Sequence, residues 1–500
     1  MKPFFDVQKN RAAYHGDGNK NTVHRSSLLA PKIKGARTNI TFLNHFLLKR
    51  NYRDVILKVT AINKSGDVAD TLSIQINEPI VYSINLEELF ECALDVGEYL
   101  IEFFSGENLY IPFPAVIINH IGNDFTNSVH SFNRVLNDVF ENDAVNKHHV
   151  CESSIDYIID ETYDTFFNFA SGPFSPSGGI GVSIVEGEIA ELSETVSLDV
   201  GRLASKNIFL SEVFSGNSLA DLRGGGVVRI LQPRQEMFYG RLLVGIVNRK
   251  TSAFSANHSY YDSSQVCEYF DNGISRRTYP YFADRVNRIT MYPIMSPSTL
   301  NVHIEIRNGS NLFLSEAKAV KSPSGSSVTF NVDEIVNAAQ LDNVSAFEVV
   351  AEAVGGRVPS RVNHQLIYGR KDSKSKLNCS INVSLLNERI CMPPGKTGLT
   401  WGQILVDEDY VSQVGFCFNS SIGEAESLEI SFYNEEGLIR TINENLNPGT
   451  SIILSSDIFS DFKSRSKFIW FFAKSNRADL SAESFHTHKL SHNSSGEHSF

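Results

Sequence analysis

The segment "YSINLEELF", residues 82 to 90, joins an alternating strand to a short acidic helical turn that ends at an aromatic residue. The same pattern returns as "KNIFLSEVF" (206–214), "VTFNVDEIV" (328–336) and "SIILSSDIF" (451–459). The last residues of these segments, which we call the anchors, lie 124, 122 and 123 residues apart: Phe90, Phe214, Val336 and Phe459. Such a regular interval predicts an internal repeat of about 123 residues.

Alternating segments with turn signals surround each anchor. Before the fourth anchor, "LEISFYNEEG" (428–437) alternates and then ends in a turn where glycine supplies a positive φ. After the anchors, further apolar strands follow, such as "EYLIEFFS" (98–105) and "SKFIWFFAK" (466–474). Short strands separated by frequent turns are typical of an antiparallel β-sandwich. The sequence therefore predicts an all-β chain of four tandem immunoglobulin-like antiparallel β-sandwich repeats.

The repeat divides the 500 residues into five parts. We expect an N-terminal extension at 1–25 and β-sandwich repeats at 26–145, 146–270, 271–372 and 373–500, the last with a His-rich C-terminal tail. Each repeat is long enough to bury its own core, unlike the units of a solenoid. The likeness to immunoglobulin domains is one of architecture only, because their Cys…Trp…Cys spacing is absent.

The composition is that of a globular, sheet-rich protein. Hydrophobic residues make up 42% and charged residues 20%, and 34 Phe and 17 Tyr stand against 2 Trp. The formal net charge of −12 argues against binding to nucleic acid or to an anionic membrane surface. The first residues lack the apolar core of a signal peptide, and no segment reaches the roughly 18 apolar residues of a membrane span. Six scattered cysteines without a CxxC pair indicate free thiols, so we expect a cytoplasmic protein.

A histidine follows each anchor, and we place it in the strand that closes the repeat: His130, His258, His364 and His486. "HSF" and "HSY" begin at the first two, and "GEHSF" (496–500) repeats the pattern. A residue that recurs with a repeat more often serves the repeat than a single active site. We therefore interpret His258, in "SANHSYYDSS" (255–264), as a structural, hydrogen-bonded imidazole beside a domain junction.

Tyrosines near these histidines extend the set of candidate binding residues. Exposed rings of Tyr260 and Tyr261 would stack on the apolar faces of sugars, whereas buried rings would pack between domains. The complete candidate set joins these two tyrosines to three of the histidines: His130, His258 and His364.

Two groups of residues have the composition of a metal site. His486 and His488 lie two residues apart, on one face of a predicted strand, and His492 and His498 follow. The alternatives for this tail are adventitious binding of a divalent metal ion and no ligand role at all, and no other cofactor is expected. The second group lacks the spacing of an established metal motif: His120, His130, Asp138, Glu141 and Asp143.

Taken together, these features favour a non-catalytic protein that acts through its surfaces as a scaffold or interaction module. The glycine-rich segments do not open helices after strands, and the G-x-S-x-G nucleophile elbow is absent. We expect a protein partner or self-association. One alternative is a carbohydrate-binding protein linked to surface-polysaccharide assembly. The other is a metal-dependent enzyme that uses the repeat histidines.

Overall fold

The computed structural model describes twelve stretches of the chain, with gaps between them: residues 24–106, 114–136, 142–143, 152–186, 190–214, 226–262, 268–292, 296–308, 311–322, 327–387, 396–419 and 423–500. These stretches form antiparallel β-sheets joined by turns and a few helices of four to seven residues. The prediction of an all-β, antiparallel chain is confirmed. None of the described helices has the length and apolar character needed to cross a membrane.

The first part of the chain forms two sheets, with strand orders β4–β3–β6–β1–β9 and β5–β2–β7–β8. Its strands are β1 (His24–Pro31), β2 (Arg37–Leu43), β3 (Val55–Asn63), β4 (Val68–Ile76), β5 (Val81–Asn85), β6 (Val96–Ser105), β7 (Ile117–Ile121), β8 (Thr126–His130) and β9 (Arg134–Val135). Two helices, α1 (His45–Arg50) and α2 (Leu86–Leu89), lie between them. The apolar faces of both sheets contribute to a single core.

The same strand order returns in a second sheet pair, β13–β12–β15–β10–β19 with β14–β11–β17–β18. Its elements are β10 (Glu152–Asp156), β11 (Tyr163–Ala170), β12 (Gly179–Glu186), β13 (Ala190–Ser197), β14 (Ser205–Phe209), α3 (Leu210–Val213), β15 (Val227–Leu231), β16 (Phe238–Tyr239), β17 (Leu243–Asn248), β18 (Phe254–His258) and β19 (Tyr260–Asp262). The short strand β16 pairs with β9, so it links the first and second sheet pairs.

A third pair, β23–β22–β26–β20–β29 with β25–β21–β27–β28, follows the same scheme. Its elements are β20 (Ile274–Pro280), β21 (Arg285–Met291), β22 (Ser298–Asn308), β23 (Asn311–Leu314), β24 (Lys318–Ser322), β25 (Val328–Asn331), α4 (Val332–Ala338), β26 (Ala346–Ala353), β27 (Asn363–Arg370), β28 (Cys379–Ser384) and β29 (Leu386–Asn387). The additional strand β24 also pairs with β22.

The fourth pair has the orders β33–β32–β35–β30 and β34–β31–β36–β37. Its elements are β30 (Gly398–Leu405), β31 (Tyr410–Phe418), β32 (Glu426–Asn434), β33 (Gly437–Leu446), β34 (Ser451–Ser455), α5 (Ser456–Phe459), β35 (Phe468–Ser475), β36 (Leu480–His488) and β37 (Ser494–His498).

Each anchor is buried where a short helix or helical turn follows the fifth principal strand of its sheet pair. The exposed fractions are 4% for Phe90, 2% for Phe214, 6% for Val336 and 3% for Phe459. In the first pair, Asn85 caps α2 by accepting a hydrogen bond from the backbone of Glu88. In this pair the cap starts the turn, and burial of Phe90 fixes the turn against the core.

The last long strand of each sheet pair faces the centre of the molecule. We call these strands, β8, β18, β28 and β37, the closing strands. They contact one another in a ring, in which β8 and β28 each contact both β18 and β37. Most of their residues are buried although many are polar, so the four sheet pairs share an interior polar layer, which we call the central layer.

Hydrogen bonds between sheet pairs cross this central layer. The backbone N–H of Ala256 donates to Asn127 at 2.6 Å, and that of Ser128 donates to the Ser495 hydroxyl at 3.1 Å. The side-chain amide of Asn382 donates to the carbonyl of His258 at 2.9 Å. Because buried polar groups need partners, these bonds fix the position of one sheet pair relative to the next.

A pH-sensitive contact joins the first two sheet pairs away from the central layer. The hydroxyl of Ser205 on β14 donates to the carboxyl of Glu98 on β6. Burial raises the pKa of Glu98 from 4.5 to about 8, against the opposing effect of this hydrogen bond. The folded state therefore holds the proton more tightly than the unfolded chain. The stabilisation that protonated Glu98 contributes is therefore complete below about pH 4.5 and is lost as the pH rises through about 8.

We expect Glu98→Gln to be as stable as the wild type below about pH 4.5 and more stable above about pH 8, because glutamine imitates the protonated carboxyl. Urea unfolding curves of both proteins in these two pH ranges test this expectation. Replacement of the exposed Glu78 by glutamine is the control. A stability difference between Glu98→Gln and wild type that does not change with pH would contradict it.

Candidate metal centre

Four side chains with metal-ligating atoms converge in the central layer. They are His130 on β8, His258 on β18, and Glu497 and His498 on β37. One ligand atom from each lies within 4.8 Å of those from the other three. Three sheet pairs thus contribute to one group, in which the side chains of His258 and Glu497 are only 0% and 2% exposed.

The three histidines occupy equivalent positions in their closing strands. Across the hydrogen-bonded ladder, His130 lies opposite Ile117, His258 opposite Leu243 and His498 opposite Glu483. The third closing strand has Val383 at this position, opposite His364. Serine follows in all four strands, and then a large apolar or aromatic residue: Phe132, Tyr260, Leu385 and Phe500. The recurring element is therefore a histidine, or valine in the third pair, followed by serine and this large residue.

The prediction that all four histidines after the anchors lie in closing strands is wrong for two of them. His364 lies on β27 and His486 on β36, each one strand earlier. The fourth equivalent position belongs instead to His498, 39 residues after Phe459, compared with 40 and 44 residues in the first two sheet pairs. The signal was present in "GEHSF", but Glu497 and His498 were not among the predicted binding residues.

Backbone hydrogen bonds fix the tautomers of two of the imidazoles. His258 Nδ1 lies 3.3 Å from the carbonyl of Ser259, and His498 Nδ1 lies 2.9 Å from the carbonyl of Ser499. A carbonyl only accepts, so each Nδ1 carries the proton and each Nε2 presents a lone pair. These two Nε2 atoms face each other at 3.2 Å. A backbone carbonyl on the far ring nitrogen is the usual support of a metal-ligating histidine.

The carboxylate of Glu497 lies beside the three imidazoles. Its Oε2 accepts from the backbone of His130 at 3.1 Å and from Asn257 Nδ2 at 3.0 Å. Its Oε1 accepts from the backbone of His498 at 2.9 Å. His130 Nδ1 also lies 3.0 Å from Oε2, but this contact lacks the alignment of a hydrogen bond. Lone pairs remain on both oxygens for a further positive partner.

Burial sets the charge of the group. Desolvation, with a smaller effect of the Arg241 charge, holds the pKa of His130 and of His258 well below 6.5. Desolvation also lowers the pKa of His498 to about 3, and it raises that of Glu497 to about 7. The imidazoles are therefore neutral at physiological pH, which is the protonation state that binds metals.

The other histidines predicted from the sequence have protein partners. His364 is buried and its Nε2 contacts the hydroxyl of Tyr279. His486 Nε2 lies 2.7 Å from the carbonyl of Thr126, and His488 Nδ1 accepts from the backbone of Ser491 at 3.1 Å. His486 and His488 belong to the paired strand β36, so the interpretation of this segment as a tail is wrong.

The second metal group predicted from the sequence is only partly described. His120 is buried on β7, with Nε2 3.3 Å from the carbonyl of Pro31. Asp138 and Glu141 lie outside the described residues. His130 belongs to the group in the central layer, with partners that differ from those predicted.

The ring of Tyr260 does not have the exposure that sugar stacking requires. Tyr260 is 7% exposed, and its ring lies under the Arg241 guanidinium, 5.4 Å from the ring centroid. The side chain of Tyr261 lies outside the described residues.

Comparisons with known proteins add little to this description. The chain is similar to the crystal structure of a tetra-tandem repeat in the extending region of a large adhesion protein, at 9% sequence identity. The similarity covers 95% of this chain and 98% of that chain, with a TM-score of 0.10. At this TM-score it supports no argument about the fold or function of this chain. No family model matches the chain, and no curated protein matches it.

Proposed function

We propose that the chain is a non-catalytic interaction module: a rigid body of four β-sandwich units that associates through an exposed sheet edge. The observation that carries this proposal is that β4 is an exposed edge strand. Among the described strands it pairs only with β3, and it is exposed along six consecutive residues, Val68–Ser73. An exposed edge strand offers unpaired N–H and C=O groups to another strand.

The rigid body consists, in this proposal, of the units expected at 26–145, 146–270, 271–372 and 373–500. Its rigidity is supported by the ring of closing strands and by the hydrogen bonds across the central layer. Such a body holds its outer edges at fixed distances from one another, which is what a scaffold requires. In this proposal the buried ionisable groups of the central layer help to hold the four units together.

The composition of β4 suits strand pairing. Among its nine residues, "VADTLSIQI", Asp70 is the single ionisable side chain. Val68 and Leu72 are 65% and 38% exposed. Sheet edges that avoid association carry several charges, prolines or bulges on the edge strand. β4 has one charge, no proline and one register irregularity at Ala69, and its segment Thr71–Ile76 pairs with β3 in regular register. The outer strand β33 of the fourth pair, in contrast, carries both Arg440 and Glu444.

The partner that we propose for this edge is a second copy of the chain. Antiparallel pairing of β4 with its own copy about a two-fold axis is self-complementary. It brings a single carboxylate from each strand to the interface, so like-charge repulsion is small.

Ser73→Pro tests this proposal. Thr71 N–H donates to the side chain of Asp70 at 2.7 Å and so points away from β3, and the N–H of Ser73 points the same way by alternation. Proline at position 73 removes an outward donor while it leaves the β3–β4 ladder in place. We expect concentration-dependent association of the wild type in sedimentation velocity. In Ser73→Pro it should be weaker by at least about tenfold, since a lost hydrogen bond and a steric block together exceed about 1.4 kcal/mol.

Ser73→Ala is the matched control, because it changes the side chain and keeps the N–H; it should associate as the wild type does. A wild-type chain that stays monomeric at high concentration, or a proline variant that associates equally well, would refute this use of β4.

A further inference from the structure

We propose that His130, His258, Glu497 and His498 bind a zinc ion that joins three of the four sheet pairs. This inference stands apart from the proposed role of β4, since it concerns the interior of the molecule and not its edge. It rests on the distances between the ligand atoms, on the tautomers of two imidazoles and on the composition of the ligand set.

The distances between the ligand atoms are near those of a four-ligand zinc site, with the four atoms within 4.8 Å of one another. With zinc bonds of roughly 2.0 to 2.1 Å in a tetrahedral arrangement, neighbouring ligand atoms lie about 3.3 Å apart. The Nε2 atoms of His258 and His498 are 3.2 Å apart, and His130 Nδ1 lies 3.0 Å from Glu497 Oε2. Glu497 Oε1 lies 3.9 Å and 3.8 Å from the two Nε2 atoms. In this proposal the side chains close around the ion, since their ligand atoms lie within 4.8 Å of one another and about 3.3 Å is needed.

A cation between the facing Nε2 atoms of His258 and His498 would satisfy both of them. Both Nδ1 atoms lie against backbone carbonyls, so both Nε2 atoms carry lone pairs when the rings are neutral. Moving a proton to one Nε2 would create a hydrogen bond there. It would also leave the lone pair of that ring's Nδ1 against a carbonyl oxygen, so one interaction is gained and another is lost. A cation satisfies both Nε2 atoms without disturbing either Nδ1.

The ligand set and the closed surroundings favour zinc over other divalent metals. The ring of His130 makes angles of 88° and 86° with those of His258 and His498, and the latter two are 86° apart. Each ring can turn about its metal–nitrogen bond, so these angles do not select a geometry. The ligand set does favour zinc, since imidazole nitrogens and a carboxylate oxygen are among the ligands that zinc takes in tetrahedral structural sites. Four protein ligands leave no position for a substrate, so the ion would be structural.

One neighbouring group opposes the ion. Arg241 is buried near the histidines, with its guanidinium held by the carbonyl of Ser131 at 3.3 Å and by the ring of Tyr260. Its positive charge disfavours a second cation. The carboxylate of Glu497 provides the compensating negative charge, and Asn257 and two backbone N–H groups orient that carboxylate.

Metal analysis of the purified protein tests the proposal. The full chain should be prepared without an affinity histidine tag, and its metal content measured by mass spectrometry after dialysis. We expect stoichiometric zinc in the wild type. His258→Gln and His498→Gln should each lose at least about 100-fold in zinc affinity, because removal of a ligand exceeds the roughly 10- to 100-fold loss typical of a supporting partner.

The matched control is His120→Gln. His120 is equally buried and lies on β7, the strand next to β8, but it is not one of the four ligands. Its zinc content should equal that of the wild type. Glutamine preserves one donor and one acceptor, and circular dichroism reports whether each variant folds. If a variant fails to fold, two measurements on the wild type test the zinc site in its place. These are the visible spectrum of the cobalt(II)-loaded protein, and the melting temperature after chelation and after addition of zinc.

A tetrahedral cobalt spectrum, and a melting temperature that falls on chelation and recovers with zinc, would support the site. Wild-type protein without zinc, whose chelated form is not stabilised by added zinc, would show that the group is a hydrogen-bonded polar core only. Equal loss of zinc in His120→Gln and His258→Gln would overturn the assignment. Loss of zinc in His488→Gln, together with retention of zinc in His258→Gln, would also overturn the assignment.

Discussion

Truncation of Phe459 to alanine should lower the free energy of unfolding of the fourth sheet pair by about 3 to 5 kcal/mol. Phe459 ends α5, is 3% exposed, and its ring lies 6.0 Å from those of Phe432 and Phe462. Alanine removes most of this ring packing and leaves a cavity that the surrounding strands fill only in part. Phe90→Ala in the first pair should behave alike, since Phe90 is 4% exposed and its ring stacks on that of Tyr99.

The measurement is amide hydrogen exchange resolved by peptide, because a single free energy of unfolding is poorly defined for a chain of several units. Peptides from 398–500 should lose protection in Phe459→Ala, with a smaller change in 163–258. Leu490→Ala is the control, since Leu490 is 87% exposed. A loss below about 1 kcal/mol at Phe459 would show that the anchor does not hold its turn against the core.

Replacement of Arg277 by methionine should cost a similar amount, about 3 to 5 kcal/mol, for an electrostatic reason. Arg277 on β20 donates to Glu483 on β36 at 3.2 Å, and their side chains are 11% and 0% exposed. Burial raises the pKa of Glu483 to about 7, although the charge and hydrogen bond of Arg277 oppose that rise. Without the arginine, Glu483 remains fully buried between the third and fourth sheet pairs, either as an unpaired carboxylate or as a carboxyl that has had to take up a proton.

The double variant Arg277→Met/Glu483→Gln should recover most of that loss, because it removes both buried charges together. Hydrogen exchange of the strands β20 and β36 in the single and double variants provides the comparison. Arg370→Met is the control, since Arg370 pairs with Asp372 at the surface and its loss should leave exchange unchanged. If Arg277→Met were as stable as Arg370→Met, the buried pair would not hold these sheet pairs together.

The strands and anchors were predictable because their signals are local. Alternation of apolar residues, glycine in turns and the interval between Phe90, Phe214, Val336 and Phe459 depend on each unit alone. Phe90 and Phe459 are buried as expected. The alternation of apolar residues along a strand is enough to predict which of its faces is buried.

The candidate site was only partly predictable because it depends on how the units meet. His130 and His258 were recognised as recurring residues, and the copy in "GEHSF" was noticed, but His498 was assigned to a tail. Glu497 has no recurring counterpart, since Asn257 and Asn382 precede the equivalent positions in the second and third units. Nothing local indicated that the closing strands form a ring, and that arrangement brings copies of one residue together. Recurrence therefore does not argue against a site when the units surround a common centre.

The polar character of the central layer matters during synthesis, because the closing strands leave the ribosome one after another. Ser128 on β8 and Ser495 on β37 are bonded across the centre although 367 residues separate them. On the ribosome, β8 is complete long before β37 exists, and its future contact surface faces water during that time. Serine, asparagine and histidine on that strand are hydrated while they wait, whereas an apolar strand would attract other nascent chains. The same side chains that fix the finished centre thus protect the unfinished one from aggregation.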